Sequence, residues 1–299
     1  MLKIGVIVCA HGNGKSVSRL RAAYEREHVD AIAVCGDLGD DFKEISSVLK
    51  AVSVARVPII AFPGSHEPAA DYFKALKQHK RVIDGTKTRR ITIKGYDVVT
   101  LPGSSVNVPS ATFRIVGEKR EAKRFAQHGY RTFLIADLAK FIRKPAKTVV
   151  LCHDPPRGSS KDGIDVAYSG IVKKFFIVKP RDAGIFGKNA HPFTRIHDKG
   201  SIVPEPYASK LAAKGYPVAV KHRNVGNDAL KAFLKQKRIN FFTCGHIHEA
   251  GHRAVSAAGK PLKQGVPSQS VWYNAAPAVK GNGGILIIDD KATFKNIRS

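Results

Sequence analysis

Acidic residues are scarce in this chain of 299 residues: 24 Asp and Glu stand against 50 Lys and Arg, a net charge of +26. That shortage excludes a surface stabilised by ion-pair networks, which need both signs in comparable number. The unbalanced charge repels itself unless a polyanion neutralises it, and nucleic acid is the commonest such partner, ahead of membranes and acidic proteins. Long apolar runs are also missing. Nothing approaches the ~18 residues that a membrane-crossing helix needs, so no membrane partner is expected. The opening Met1-Leu2-Lys3-Ile4-Gly5-Val6-Ile7-Val8 is too short for a secretory signal, carries no cleavage pattern and reads as a first strand. A cytoplasmic protein is the expectation. Cysteine is limited to Cys9, Cys35, Cys152 and Cys244, whose spacing excludes a disulfide framework and a zinc ribbon. A cysteine closing an apolar run is usually a small buried hydrophobe. That reading is taken for Cys35, Cys152 and Cys244, but not for Cys9. Internal repeats, low-complexity tracts, RNA-recognition motifs and zinc fingers are all absent.

What is present is the composition of a soluble globular protein, 43% apolar and 25% charged, with length enough for a sizeable core and one domain over 1–299. The first hundred residues alternate between strand and helix patterns. Strands are predicted at 2–9, 30–35 and 57–62, and helices at 15–27, 42–54 and 69–79. Such alternation argues for parallel pairing with right-handed crossovers. Strands at 90–94 and 96–101 precede a basic helical region over 117–144 and a strand at 148–152. From 167 to 223, Gly, Pro, Lys and Arg scatter without a period, which reads as a basic irregular insertion. A helix at 227–237 and strands at 239–244, 271–274 and 285–288 complete the pattern.

Strand-like runs keep delivering the same residue types at their ends. Val6-Ile7-Val8-Cys9 leads to His11, and Ala31-Ile32-Ala33-Val34-Cys35 leads to Gly36-Asp37 and Asp40. Ile59-Ile60-Ala61-Phe62 leads to Gly64-Ser65-His66-Glu67, and Val149-Val150-Leu151-Cys152 leads to His153-Asp154. Phe241-Phe242-Thr243-Cys244 leads to Gly245-His246-Ile247-His248. An open α/β sheet builds ligand sites along the edge where its strands end, and imidazole, thiolate and carboxylate are the groups that hold divalent metals there. His11, Asp37, His153, His246 and His248 are the candidate ligands, with His66 as an acid. Glu67, Asp154 and Glu249 read as solvated or supporting neighbours.

In order and spacing these motifs resemble the calcineurin-like metallophosphoesterase superfamily, over residues 4 to about 288. Its pattern runs Asp-x-His, Gly-Asp-x-x-Asp, Gly-Asn-His-Asp/Glu, His, Gly-His-x-His. The resemblance implies a four-layer α-β-β-α sandwich of two mixed sheets. It implies one metal held by Cys9, His11, Asp37 and His248, and a second by Asp37, Ser65, His153 and His246. His66 would donate to the leaving group, oriented by Asp40. Two positions depart from the pattern: Cys9 stands where the family has Asp, and Ser65 where it has Asn. Thiolate favours softer metals, so zinc is expected at the Cys9 site, with manganese or iron as the other divalent candidates. A serine hydroxyl is a poorer ligand than an amide carbonyl, so the second site is weakened.

The cations gather along Lys119, Arg120, Lys123, Arg124, Arg143 and Lys144, and again along Lys173, Lys174, Lys179, Arg181, Lys188 and Arg195. Phe175, Phe176, Phe186, Phe193, Tyr207 and Tyr216 are interleaved and could stack on unpaired bases. The substituted ligands and the charge together point to an RNA-binding or ribonucleoprotein component, ribosomal RNA included, on a metallophosphoesterase fold. The retained Asp37, Asp40, His66, His153, His246 and His248 point to the alternative, an active metal-dependent phosphodiesterase or nuclease.

Overall fold

The computed structural model describes residues 1–108, 110–186, 196–205 and 207–299. Lys188, Phe193 and Arg195 lie outside the described residues, as does the side chain of Phe186. The chain opens with β1 (Leu2–Ile7), α1 (Gly14–Arg26), β2 (Ala31–Cys35), α2 (Phe42–Ser53), β3 (Ile59–Phe62), α3 (Ala69–Gln78) and β4 (Val82–Asp84). The four strands pair in parallel. β2 and β3 are buried along their whole length, as parallel strands covered on both faces must be. Side-chain caps set the first two helix starts: Asn13 accepts from Ser16 N–H at 3.0 Å and Asp41 from Glu44 N–H at 2.9 Å.

β5 (Arg90–Ile93), β6 (Tyr96–Leu101), β7 (Phe113–Val116), α4 (Lys119–Gln127), β8 (Arg131–Leu134) and β9 (Thr148–Cys152) follow. The basic region expected to be helical over 117–144 is helical only in α4 and in a 3-10 turn at Ile135–Lys140. Gly129, at φ +81°, ends the helical path, and Arg131–Leu134 pairs in parallel with β7 instead. Tertiary pairing overrides the helix preference of the Lys, Arg and Ala there.

The segment expected to be irregular over 167–223 is built in large part of regular elements. β10 (Val166–Val172), β11 (Phe176–Ile177), β12 (Ile196–His197), β13 (Ile202–Pro204), α5 (Tyr207–Ala213) and β14 (Val218–Asn224) lie in it. β10 pairs antiparallel with both β13 and β14. Val172, Phe176, Val178, Val203, Leu211 and Val218 form a small core of their own. Phe176 stacks on His197 and Tyr216 at centroid distances of 4.8 and 5.0 Å, so it fills this core rather than a surface for bases. Phe175 is 58% exposed.

α6 (Asp228–Gln236), β15 (Phe241–Cys244), β16 (Arg253–Val255), β17 (Pro261–Leu262), β18 (Val271–Asn274), β19 (Asn282–Ile288) and β20 (Ala292–Arg298) complete the chain. Two large mixed sheets result, ordered β20-β19-β1-β2-β3-β4 and β17-β16-β18-β15-β9-β6-β5. Ile4, Val6, Ile60, Val149, Leu151 and Tyr273 belong to the apolar layer between them. α1, α2 and α3 cover the outside of the first sheet through Leu20, Val48 and Tyr72. α6 covers the outside of the second through Leu230, Phe233 and Leu234. This is the expected four-layer α-β-β-α arrangement. β1, β2, β9 and β15, or the loops directly after them, end beside one another at one edge of the sandwich.

Candidate metal centre

Four of the residues predicted as ligands, Cys9, His11, Asp37 and His246, sit at φ of 50°, 43°, 54° and 63°. Non-glycine residues rarely adopt this left-handed region, which costs on the order of 1–2 kcal/mol each. Cys9 N–H donates to Gly36 O at 3.1 Å, and His11 N–H to Asp37 O at 2.9 Å. These bonds tie the loop after β1 to the loop after β2 and help offset the strain. Glycine is required beside them. A Cβ on Gly36 would lie 2.5 Å from His153 Nδ1, and one on Gly64 would lie 2.5 Å from Asp37 Oδ1. The backbone therefore brings the strand ends close enough for their side chains to share one small volume.

Within that volume, Cys9, His11 and His248 bring their ligand atoms within 4.8 Å of one another, as do Cys9, Asp37 and His153, and also His11, Asp37 and His66. Cys9 belongs to the first two groups and Asp37 to the last two, so both face each half of the site. His153 Nδ1–H donates to Cys35 O at 3.0 Å, which fixes the tautomer and turns Nε2 inward. Nε2 lies 3.0 Å from Asp37 Oδ2, near enough for an ion pair, yet it is out of line for a hydrogen bond and has no such partner. His11 Nε2 is likewise buried without a partner. Buried polar atoms are almost always satisfied, so two orphaned imidazole nitrogens beside a thiol and a carboxylate form a donor set that fits a divalent metal.

Ser65 and His246 are drawn in differently. Ser65 N–H donates to Asp37 Oδ1 at 2.6 Å, and its hydroxyl donates to the same carboxylate at 3.0 and 3.1 Å. His246 N–H donates to Cys9 Sγ at 3.3 Å, and its ring lies edge-on to His153 at 5.0 Å between centroids. His246 belongs to no group of three or more converging His, Cys, Asp or Glu ligand atoms among the described residues. On the rim, His66 Nδ1 lies 2.5 Å from Asp40 Oδ1, which leaves Nε2 facing inward, 3.9 Å from Asp37 Oδ2.

Burial sets the protonation pattern of these side chains. It pushes the Cys9 thiol well up, and the Asp37 charge adds to that. His248 is pushed down to about 4 by burial and by His11, and His11 and His246 are lowered chiefly by burial. His153 goes the other way: burial opposes its charge, but Asp37 outweighs it and raises the ring to about 9. Burial likewise works against Asp37, and His153, with His66 and His246, overcomes it and holds the carboxyl well below the usual range.

Three further residues position the site. Glu67, fully buried, accepts from Leu38 N–H at 2.5 Å and Gly64 N–H at 2.8 Å, joining the loops after β2 and β3. Burial and Asp37 raise it to about 7. Asp154, 2% exposed, accepts from Ser104 Oγ, Ser105 N–H and Ser105 Oγ. Both therefore support the site rather than meet solvent, while Glu249 is exposed. Asn274, a position not read as a site residue, donates through Nδ2 to Ile164 O, Gly245 O and Ile247 O and so shapes the turn that carries His246 and His248. Its signal in the sequence was a polar residue closing an otherwise apolar strand.

The predicted RNA-binding cations lie elsewhere. Lys119, Arg120, Lys123 and Arg124 are exposed on α4, which has no buried residue. Arg143, Lys144, Lys173, Lys174, Lys179 and Arg181 are exposed as well.

No protein-family model and no curated protein matches the chain in sequence. Among solved structures, TT1561 of Thermus thermophilus aligns over all of both chains at 11% identity with a TM-score of 0.50. Another crystal structure aligns over 99% of this chain and 98% of its own at 10% identity with a TM-score of 0.57. The phosphopantetheinyl hydrolase PptH from Mycobacterium tuberculosis aligns over 93% of this chain and 90% of its own at 13% identity with a TM-score of 0.42. Among the described residues, no helix is long and apolar enough to cross a membrane. Two facing mixed sheets between helical layers, with His, Asp and Cys converging where the strands end, make up the fold of this chain, and the solved structures aligned over its whole length share that fold.

Proposed function

We propose that the chain is a metal-dependent phosphoesterase acting on phosphate esters of nucleic-acid type, with zinc held chiefly by Cys9, His11 and His248. The observation that carries this reading is the His66–Asp40 dyad, assembled at 2.5 Å on the rim of a volume floored by two orphaned imidazole nitrogens. Asp37 and His153 would hold a second, weaker metal position, because the Ser65 hydroxyl donates to Asp37 instead of facing an ion. A divalent ion in this donor set supplies Lewis acidity toward phosphate oxygens. Asp40 orients the His66 ring through Nδ1. Nε2 then holds a proton at the mouth of the site and delivers it to the departing ester oxygen. Ser65 and Glu67 keep the loop of His66 fixed against Asp37. Hydrolysis of bis(p-nitrophenyl) phosphate with zinc or manganese tests this reading through His66→Ala. A general acid contributes roughly 10²–10⁴-fold, so a loss of that size supports it, and unchanged turnover refutes it.

A second reading, an RNA-binding or ribosome-associated component with a weakened site, is favoured by a different observation. In a chain of net charge +26, α4 and residues 173–181 present exposed cations to solvent, with Phe175 exposed among them. Sedimentation of the protein in lysate, with and without ribonuclease, separates the two. Co-sedimentation that ribonuclease abolishes supports this reading, and a free, slowly sedimenting protein at low salt contradicts it.

A further inference from the structure

Asp154, one residue after His153, is a buried carboxylate that the proposed chemistry does not use. Both of its oxygens are taken up by one loop. Ser104 Oγ donates to Oδ1 at 2.5 Å, and Ser105 N–H and Oγ donate to Oδ2 at 2.7 and 2.5 Å. These serines belong to Gly103-Ser104-Ser105-Val106-Asn107-Val108, between β6 and β7. The same loop is tied to the chain around His66. Gly103 N–H donates to Pro63 O at 2.7 Å, and Val108 N–H donates to Ser65 O at 3.0 Å. The loop therefore spans from the segment that carries His66 to the segment that carries His153. Its turn needs glycine: Gly103 sits at φ +89°, and a Cβ there would lie 2.9 Å from the carbonyl carbon of Phe113.

What the loop offers outward is set by what its polar groups already hold. The Ser104 and Ser105 hydroxyls are spent on Asp154, and Val106 N–H donates to Ser104 Oγ at 3.2 Å. Asn107 donates through Nδ2 to Phe113 O at 2.7 Å and accepts at Oδ1 from Arg114 Nη1 at 3.4 Å. The hydrocarbon of Val106 remains, 60% exposed, with Val108 partly exposed two residues on. An exposed valine is ordinary by itself. This one rides on a backbone pinned on both sides to the loops of the metal centre, so its place is fixed before anything binds. His66, the residue directly after Ser65, is the group that meets the departing ester oxygen, which puts the loop on the leaving-group side.

We propose that Gly103–Val108 is the leaving-group wall of the metal centre, and that Val106 selects phosphate esters whose departing alcohol carries a flat apolar face, an aromatic ring or a nucleobase. Asp154 is the positioning residue that holds this wall in place. A charged or strongly polar leaving group loses water against Val106 and gains no partner, whereas an aromatic face buries apolar surface on both sides. The inference rests on the phosphoesterase reading and names the substrate class of that same site.

Phenylphosphonate and methylphosphonate share an anionic head and differ in the group that meets the wall. Calorimetric titration of the zinc-loaded chain with each, at fixed ionic strength, reads the ratio of their affinities. Altered metal occupancy moves both affinities together and leaves the ratio alone. The parent should bind phenylphosphonate about fivefold more tightly or better, Val106→Ser should bring the ratio close to one, and Val106→Leu should keep it. Equal affinities in the parent, or a preference that survives Val106→Ser, overturn the inference and leave the phosphoesterase reading standing, since turnover tests that reading and this ratio does not. Binding of neither phosphonate overturns the inference as well.

Discussion

At the residue scale, the site depends on groups whose protonation conflicts with their surroundings. Cys9 is held as a thiol by burial and by Asp37, and His153 is held as imidazolium by Asp37. A metal must displace both protons, since thiolate and neutral imidazole are the ligating forms. Zinc uptake in weak buffer near pH 7.5 should therefore release about one proton at the Cys9 position and about one more when Asp37 and His153 take a second ion, with the first release lost in Cys9→Ser, read with a pH indicator dye. His248 makes a separate statement about pH. Its ring, pushed down to about 4, is protonated more readily in the unfolded chain than in the folded one. The stability it contributes is present above the ordinary histidine range and is lost as pH falls toward 4. Urea midpoints of the chelated protein should fall across that window, and less steeply in His248→Asn. An unaltered slope would remove His248 from the account. These residues were legible in the sequence because each follows an apolar run. Glu67 and Asp154 were legible only as neighbours of the motifs, because nothing in their local pattern separates a buried carboxylate from a solvated one, and Asn274 showed only as a polar residue closing an apolar strand.

At the element scale, the strand ends are aligned by turns rather than by the strands themselves. Gly245-His246-Ile247-His248 holds its shape because Asn274, at the end of the neighbouring β18, ties down three carbonyls around it. Asn274→Ala removes those ties without touching a ligand. Supporting hydrogen bonds of this kind are worth about 10–100-fold in metal affinity, so competition with a chelator should show a loss of that size. Wild-type affinity in the variant would mean that the turn needs no support. Element prediction was sound where burial and period agreed, as in β2, β3 and α2. It failed over 117–144, where Gly129 and the pairing of β8 with β7 interrupt a helix-favouring composition. It failed again over 167–223, where β14 places Lys221, His222 and Arg223 along its outer half and hides the strand's period.

At the scale of the whole molecule, charge and fold act on different parts of the surface. The layered core needs no ion pairs between its sheets, so the cationic excess is free to lie outside on α4 and at 173–181. If that excess recruits RNA, the logarithm of affinity should fall linearly with the logarithm of salt, with a slope set by the phosphates neutralised. Replacing Lys119, Arg120, Lys123 and Arg124 with alanine should lower that slope by about 3–4, and an unchanged slope would place the contact elsewhere. The two-sheet architecture was legible only through the resemblance that the order of the motifs carries, because strand ends that share ligands can lie in one sheet or, as here, in two.

The proposed function requires that these converging strand ends hold a metal that the chain uses for ester hydrolysis. Its most direct test is turnover of bis(p-nitrophenyl) phosphate by protein stripped with a chelator, then dialysed and resupplied with zinc. The prediction is turnover abolished by stripping and restored by zinc in the parent chain, but not in a Cys9→Ser/His11→Ala variant. Turnover that is absent with every divalent metal, or that returns equally in that variant, contradicts it.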